Sequence, residues 1–132
     1  MNGVLDAGAI IAFLRDEPGA DSVPQALERG ECLVHAANMC EVYYDAVRVS
    51  GIELAELELE DVFALGVTLR ADLDREFRQA AGRLKAEHRR ISLADCFGLT
   101  LPIRLAGEFL TTDRHELEAL SALLPCALNF VR

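Results

Sequence analysis

The sequence predicts an α/β protein built in three layers, with a mostly parallel central sheet between two layers of helices. Two observations predict it. Short apolar runs alternate along the whole chain with runs of helical length, and that alternation is the signature of parallel strands joined by crossover helices. The helical runs are also punctuated by start and stop signals, with Ser92 ahead of one and Gly107 closing it, and Gly51 and Gly66 closing two others. A chain of 132 residues has room for one core of this kind, so residues 1–132 are read as a single domain.

The elements follow in order. "NGVLD" (2–6) is a short strand that runs into "AGAIIAFL" (7–14), an apolar helix. "DEPG" is turn-forming, and "GADSVPQALER" (19–29) starts a second helix. "ECLVHA" (31–36) is a strand, and "ANMCEVYYDAVRVSG" (37–51) is a helix with Asn38 near its start. "ELAELELEDVFALG" (53–66) is an acidic helix and "VTLR" (67–70) a brief strand. "ADLDREFRQAAGRLKAEHR" (71–89) is a long amphipathic helix. "SLADCFGLTLPIRLAG" (92–107) is an apolar helix that Pro102 is expected to bend. "EFLTTD" (108–113) is a strand, "RHELEALSALL" (114–124) a helix and "CALNFVR" (126–132) the last strand.

Composition excludes several classes. No run of about 18 apolar residues is present, so no transmembrane helix is expected. The start, "MNGVLDAGAI", lacks a basic region before its apolar run and contains an acid, so it is not read as a signal peptide. The four cysteines, Cys32, Cys40, Cys96 and Cys126, form no CxxC pair. They read as small core residues of a protein in a reducing, cytoplasmic setting. A zinc site would want a closer pair, with His35 the only nearby imidazole.

The net charge of −9 argues against attachment to nucleic acid by bulk positive charge. Yet seven of the thirteen Lys and Arg residues lie between Arg70 and Arg90. Acids are interleaved with them, so a solvated helix face is the ordinary reading. The alternative is a phosphate-contacting role, for which Arg89 and Arg90 are the best placed, with Arg114 a third candidate.

Open α/β sheets bind ligands outside the carboxyl ends of their strands. Four acids fall there. Asp6 ends the first strand, Asp113 ends "EFLTT", Glu41 follows the second strand three residues past Asn38, and Asp95 lies three residues past Ser92. Each has an ordinary reading. Ser92-x-x-Asp95 and Asn38-x-x-Glu41 match a helix cap in which the acid reaches back to the capping residue. Asp6 and Asp113 match helix-start or turn acids. Capping does not require the apolar surroundings of Asp6 and Asp95, however. If the four converge, they cannot all stay ionised without a cation. Lysine is nearly absent, with only Lys85, so a divalent cation is the stronger candidate. Oxygen-only ligands suit Mg²⁺ or Mn²⁺.

Other α/β chemistries are set aside. The chain has no GxxxxGK[ST], no GxGxxG after the first strand and no GxSxG. Asp6-Ala7-Gly8 lacks the second acid of aspartyl-phosphate phosphatases, and no lysine follows a late strand as a phospho-receiver domain would need. The three histidines read as surface or packing residues.

Nearly end to end, the chain resembles PIN-domain proteins of the VapC toxin type. "VLDAGAIIAFL" resembles the family's first strand and helix with its leading Asp. "ANMCEVYYDAV", "RRISLADCFGLTLPIRLAG" and "FLTTDRHEL" resemble the segments that bear its Glu and its third and fourth acids. The resemblance implies a PIN-like, Rossmann-like fold. It implies that Asp6 and Asp95 are the principal metal ligands and catalytic residues, with Glu41 and Asp113 completing the site. Asn38, Ser92 and Thr112 would stand behind them. One position departs: two residues after the first acid the family commonly carries Ser or Thr, and this chain carries Gly8.

The resemblance further implies a Mg²⁺- or Mn²⁺-dependent endoribonuclease, the toxin of a type II toxin–antitoxin system, hydrolysing RNA phosphodiesters with metal-activated water. It implies a cognate antitoxin as partner and a homodimer, and no membrane. Two bound Mg²⁺ would bring the net charge to about −5. The alternatives are a non-catalytic binding module of the same fold, and a metal-dependent DNase or phosphatase using the same acids.

Overall fold

Five strands, none longer than four residues, carry the fold of this computed structural model, which describes residues 2–132; Met1, part of the expected domain, lies outside the described residues. The strands are β1 (Gly3–Leu5), β2 (Cys32–His35), β3 (Thr68–Arg70), β4 (Glu108–Thr111) and β5 (Ala127–Phe130). They form one sheet in the order β3-β2-β1-β4-β5, and every pairing is parallel. Val4 stands opposite Leu33 on one side and Phe109 on the other, which fixes the register of the three central strands.

The side-chain period of two sorts the core into two layers. Leu5, Cys32, Val34 and Leu110 point to one face, where α1 (Ala7–Arg15), α2 (Ser22–Arg29), α3 (Ala36–Ser50) and α4 (Ile52–Ala64) supply Ile10, Val23, Val42 and Val62. Val4, Leu33 and Phe109 point to the other, where α5 (Arg75–Glu87), α6 (Leu93–Leu105) and α7 (Arg114–Leu117) supply Phe77, Leu99, Leu101 and Leu117. Strands buried on both faces explain the unbroken apolar runs in the sequence. No described helix is long and apolar enough to cross a membrane.

The chain lays β2 and β3 to one side of β1 and then crosses to lay β4 and β5 on the other. The order reverses between β1 and β4, so a crevice opens at their carboxyl ends. Asp6 follows β1 directly, and Thr112 and Asp113 follow β4.

Two close approaches set which helices reach that crevice. A side chain at Gly98 in α6 would stand 2.5 Å from Asn38 Oδ1 and 3.1 Å from Phe109 Cε1, so only glycine lets α6 lie against α3 and β4. A side chain at Gly107 would strike the carbonyl of Asn2.

Several expectations are corrected. Asn38 does not cap α3: the helix begins at Ala36, and His35 caps it by accepting the Ala37 N–H on Nδ1 at 3.0 Å. The left-handed residue ending α6 is Ala106, at φ 54°, rather than Gly107. The helix expected over 114–124 stops after Leu117 and continues as a 3₁₀ turn over Glu118–Leu120. Only Leu117 and Leu124 of that stretch are buried, so no apolar stripe anchors a longer helix. Cys40 is exposed on α3, unlike buried Cys32 and Cys96.

Candidate metal centre at the sheet switch point

Asp6 is the most enclosed of the four acids, at 4% exposure. It caps α1, with Oδ1 accepting the Ala9 N–H at 2.7 Å. Its Oδ2 accepts from the Thr111 hydroxyl at 2.5 Å and from the Thr112 N–H at 3.3 Å. Burial pushes its pKa up to about 6; the hydrogen bonds oppose that shift and the charge of Asp113 adds to it.

Asp95 sits in the first turn of α6, where Ser92 caps the helix by accepting the Asp95 N–H at 3.1 Å. Its pKa is pushed up to about 7, first by burial and then by the negative charges of Asp6, Glu41 and Asp113. Acids from three other parts of the chain thus lie close enough to Asp95 to act on its charge. Asp113 caps α7 by accepting the Glu116 N–H at 3.1 Å, and its own N–H donates to the Thr111 hydroxyl at 2.9 Å. Glu41 is exposed on α3, and Asn38 Nδ2 donates to its Oε1 at 3.3 Å and to the Ala94 carbonyl at the same distance.

The caps and the cluster therefore coexist. Asp6 and Asp113 each satisfy a helix N-terminus and still face a common space. Thr111, buried and absent from the expected set, ties them together: its one hydroxyl donates to Asp6 and accepts from Asp113. The one trace of it in the sequence is a second threonine, next to Thr112, at the end of β4.

Gly8 acquires a physical meaning here. A side chain at residue 8 would collide with the Thr112 hydroxyl and stand 3.4 Å from Asp6 Oδ1. Thr112 thus fills the place beside Asp6 that a serine or threonine at position 8 would take.

The donor set fits a hard divalent cation. All four groups are carboxylates, and among the described residues none is in an ion pair with Lys or Arg. Asn38 Oδ1, fully buried behind Glu41, has no hydrogen-bond partner. Among the described residues, no three carboxylate, thiolate or imidazole groups are already drawn to ligating distance. Mg²⁺ is commonly held through one or two carboxylates and several waters, so a set of this kind would not need three protein ligands at bonding distance. His35 is not a ligand: stacked on Phe77 and Phe97, it uses both ring nitrogens on backbone groups, Ala37 N–H and Asp72 C=O.

The basic candidates separate. Arg89 and Arg90 are exposed and line a cavity of about 340 Å³ between the α5–α6 connection and α7. Arg114 instead turns to the carboxyl-terminal segment, with Nε on the Arg132 carbonyl at 2.7 Å and its guanidinium 4.9 Å from the Phe130 ring centre.

A parallel five-stranded sheet with acids placed at its switch point defines an α/β protein of the open-sheet kind. The profile of the PIN domain family matches residues 3–122, and the chain belongs to that family. No curated protein matches the sequence significantly. Solved structures share the fold at low identity. VapBC2 from Rickettsia felis, bound to a DNA fragment from its promoter, superposes with a TM-score of 0.76 at 14% identity, covering 98% of both chains. VapBC-1 from nontypeable Haemophilus influenzae gives 0.74 at 18%, covering 99% of this chain and 98% of that one. Mycobacterium tuberculosis VapC20, a sarcin-ricin loop cleaving toxin, gives 0.70 at 10%, covering 89% and 94%.

Proposed function

We propose that the chain is a Mg²⁺- or Mn²⁺-dependent endoribonuclease and the toxin of a toxin–antitoxin pair. The observation that carries the reading is the set Asp6, Glu41, Asp95 and Asp113 at the switch point, with no Lys or Arg paired to it among the described residues. Family membership and the fold shared with VapBC complexes support it. A bound divalent ion would supply water of lowered pKa and offset charge on the leaving oxygen. Asp6, at the start of α1, and Asp95, in the first turn of α6, would hold the ion. Asn38 orients Glu41, and Thr111 orients Asp6 and Asp113, which holds these carboxylates in place.

The partner readings rest on the surface. Chains that resemble this one are solved with antitoxins, and a −9 charge suits a basic partner segment. Exposed Ile52, Leu54, Leu57 and Leu65 on and beside α4 support assembly through that face, including a homodimer. The ribonuclease reading is tested by incubating the protein with total RNA, single-stranded DNA and a small phosphoester, each with Mg²⁺, Mn²⁺ or EDTA, beside Asp95→Asn. Metal-dependent cleavage confined to RNA and lost in the variant is expected. Cleavage that survives both EDTA and Asp95→Asn would remove the proposal.

A further inference from the structure

The cavity lined by Arg89 and Arg90 is built from two segments that also carry acids of the carboxylate crevice. One wall is the connection that leads through Ser92 into Asp95, and the other is α7, which Asp113 caps. The two guanidiniums have no hydrogen bond or ion pair among the described residues. Their backbone is nevertheless held: Lys85 Nζ donates to the carbonyls of Arg89 and Ile91 at 2.7 Å each. Pre-set backbone with free guanidiniums is what direct recognition of a phosphate asks for.

The rest of the lining is not that of a bare anion site. Glu87 and Glu116 also face the cavity and offset the two positive charges, so the pocket would not concentrate small anions by field alone. The carboxylates accept hydrogen bonds, as exocyclic amines of bases require, while Leu120 and the exposed ring of His115 offer an apolar and a flat surface. Donors for a phosphate, acceptors for a base edge and a stacking surface together describe a nucleotide.

We infer that this cavity is a subsite for a nucleotide of single-stranded RNA next to the bond cut at the carboxylates, with Arg89 and Arg90 on its phosphate and His115 and Leu120 against its base. The inference rests on the ribonuclease reading, and its test separates the two. Binding of a labelled single-stranded RNA 12-mer is measured across a salt series in the full chain carrying Asp95→Asn, alone and with Arg89→Gln/Arg90→Gln. Arg29→Gln is the control, because Arg29 pairs with Glu108 at the opposite end of the sheet.

The Arg pair is expected to be worth roughly tenfold in Kd, and its loss to flatten the log Kd against log salt slope by about 1.4, as two lost phosphate contacts on a single strand require. His115→Ala should weaken binding about threefold with the slope unchanged, the mark of stacking rather than charge. Equal Kd and slope in the double variant, or an equal loss in Arg29→Gln, overturns the subsite. Cleavage of total RNA by the wild type is scored beside it. Arg-dependent binding without any cleavage keeps the subsite and removes the nuclease. Cleavage with Arg-independent binding does the reverse.

Discussion

Two groups of acids lie near the carboxyl ends of the strands, and they are treated in opposite ways. Beyond β3, Asp72 and Asp74 are gripped by arginines: Arg70 Nε meets Asp72 at 2.9 Å, and Arg104 reaches Asp72 at 3.0 Å and Asp74 at 2.6 Å. Those hydrogen bonds hold both carboxyls below the ordinary carboxylate range. Beyond β1 and β4, Asp6 and Asp95 have no such partner among the described residues, and burial drives them above it. The first group is complete within the chain. The second has no side-chain cation beside it among the described residues, and burial disfavours its charged form. Acidity alone therefore does not mark a site; the absence of a side-chain cation around buried carboxylates does.

The sharpest break between the groups is in activity. Asp6→Asn or Asp95→Asn should lower cleavage by roughly 100-fold or more, whereas Asp74→Asn should leave it within about twofold, since a surface ion pair contributes little. Circular dichroism checks that each variant is folded. A large loss in Asp74→Asn, or none in Asp95→Asn, would erase the contrast.

Next comes the approach that brings Glu41 and Asp95 to the same crevice. Gly98→Ala inserts a methyl group against Asn38 and Phe109, and overpacking of this kind costs about 1–3 kcal/mol. Chemical denaturation should show that loss, and cleavage should fall about tenfold as α6 is pushed from α3. Unchanged stability would mean that the two helices have room to spare.

The pH profiles should also run in opposite directions. Asp6 and Asp95 ionise near 3.8 in the unfolded chain but near about 6 and about 7 in the folded, metal-stripped protein. Between those values the folded state keeps protons that the unfolded state has released. The contribution of these two groups to stability is therefore full below about pH 4 and lost as pH rises through their folded values. Asp72, with its lowered pKa, contributes the other way, losing its stabilisation only in acid. Asp95→Asn should accordingly raise the stability of the metal-stripped protein at pH 8 by about 1 kcal/mol. Thermal unfolding at pH 5 and pH 8, with and without Mn²⁺, reads this: the metal should add more stability at pH 8, where protons no longer compete. A metal effect larger at pH 5 would contradict it.

The smallest effect concerns Gly8. Gly8→Ser places its side chain where the Thr112 hydroxyl stands, so alone it should weaken Mn²⁺ binding about threefold by displacing Thr112 from beside Asp6. Adding Thr112→Ala makes room for the new hydroxyl and should restore binding. A double variant no better than the single one would show that the two hydroxyls are not exchangeable.

Much of this was legible beforehand because strand–helix alternation and buried strands leave periodic marks in sequence. The four acids were legible because strand ends and helix starts can be placed within a residue or two. What escaped depends on which neighbours three-dimensional packing supplies. Asn38-x-x-Glu41 has the spacing of a cap, but the chain enters α3 straight from β2, so His35 takes the cap and Asn38 is left to orient Glu41. Arg89, Arg90 and Arg114 are equivalent as letters, and only the path of the carboxyl terminus, which offers Arg114 a carbonyl and a ring, separates them. Thr111 was hidden because its role is to join two acids 107 residues apart, Asp6 and Asp113.

The central claim is that the carboxylates at the switch point hold a divalent cation and those beyond β3 do not. Calorimetric titration of Mn²⁺ into the metal-stripped protein at pH 7.5 tests it most directly, run on the wild type, Asp95→Asn and Asp74→Asn. Heat of binding in the wild type and in Asp74→Asn, with none in Asp95→Asn, is the expected result. Equal binding in all three, or loss in Asp74→Asn alone, would contradict the account.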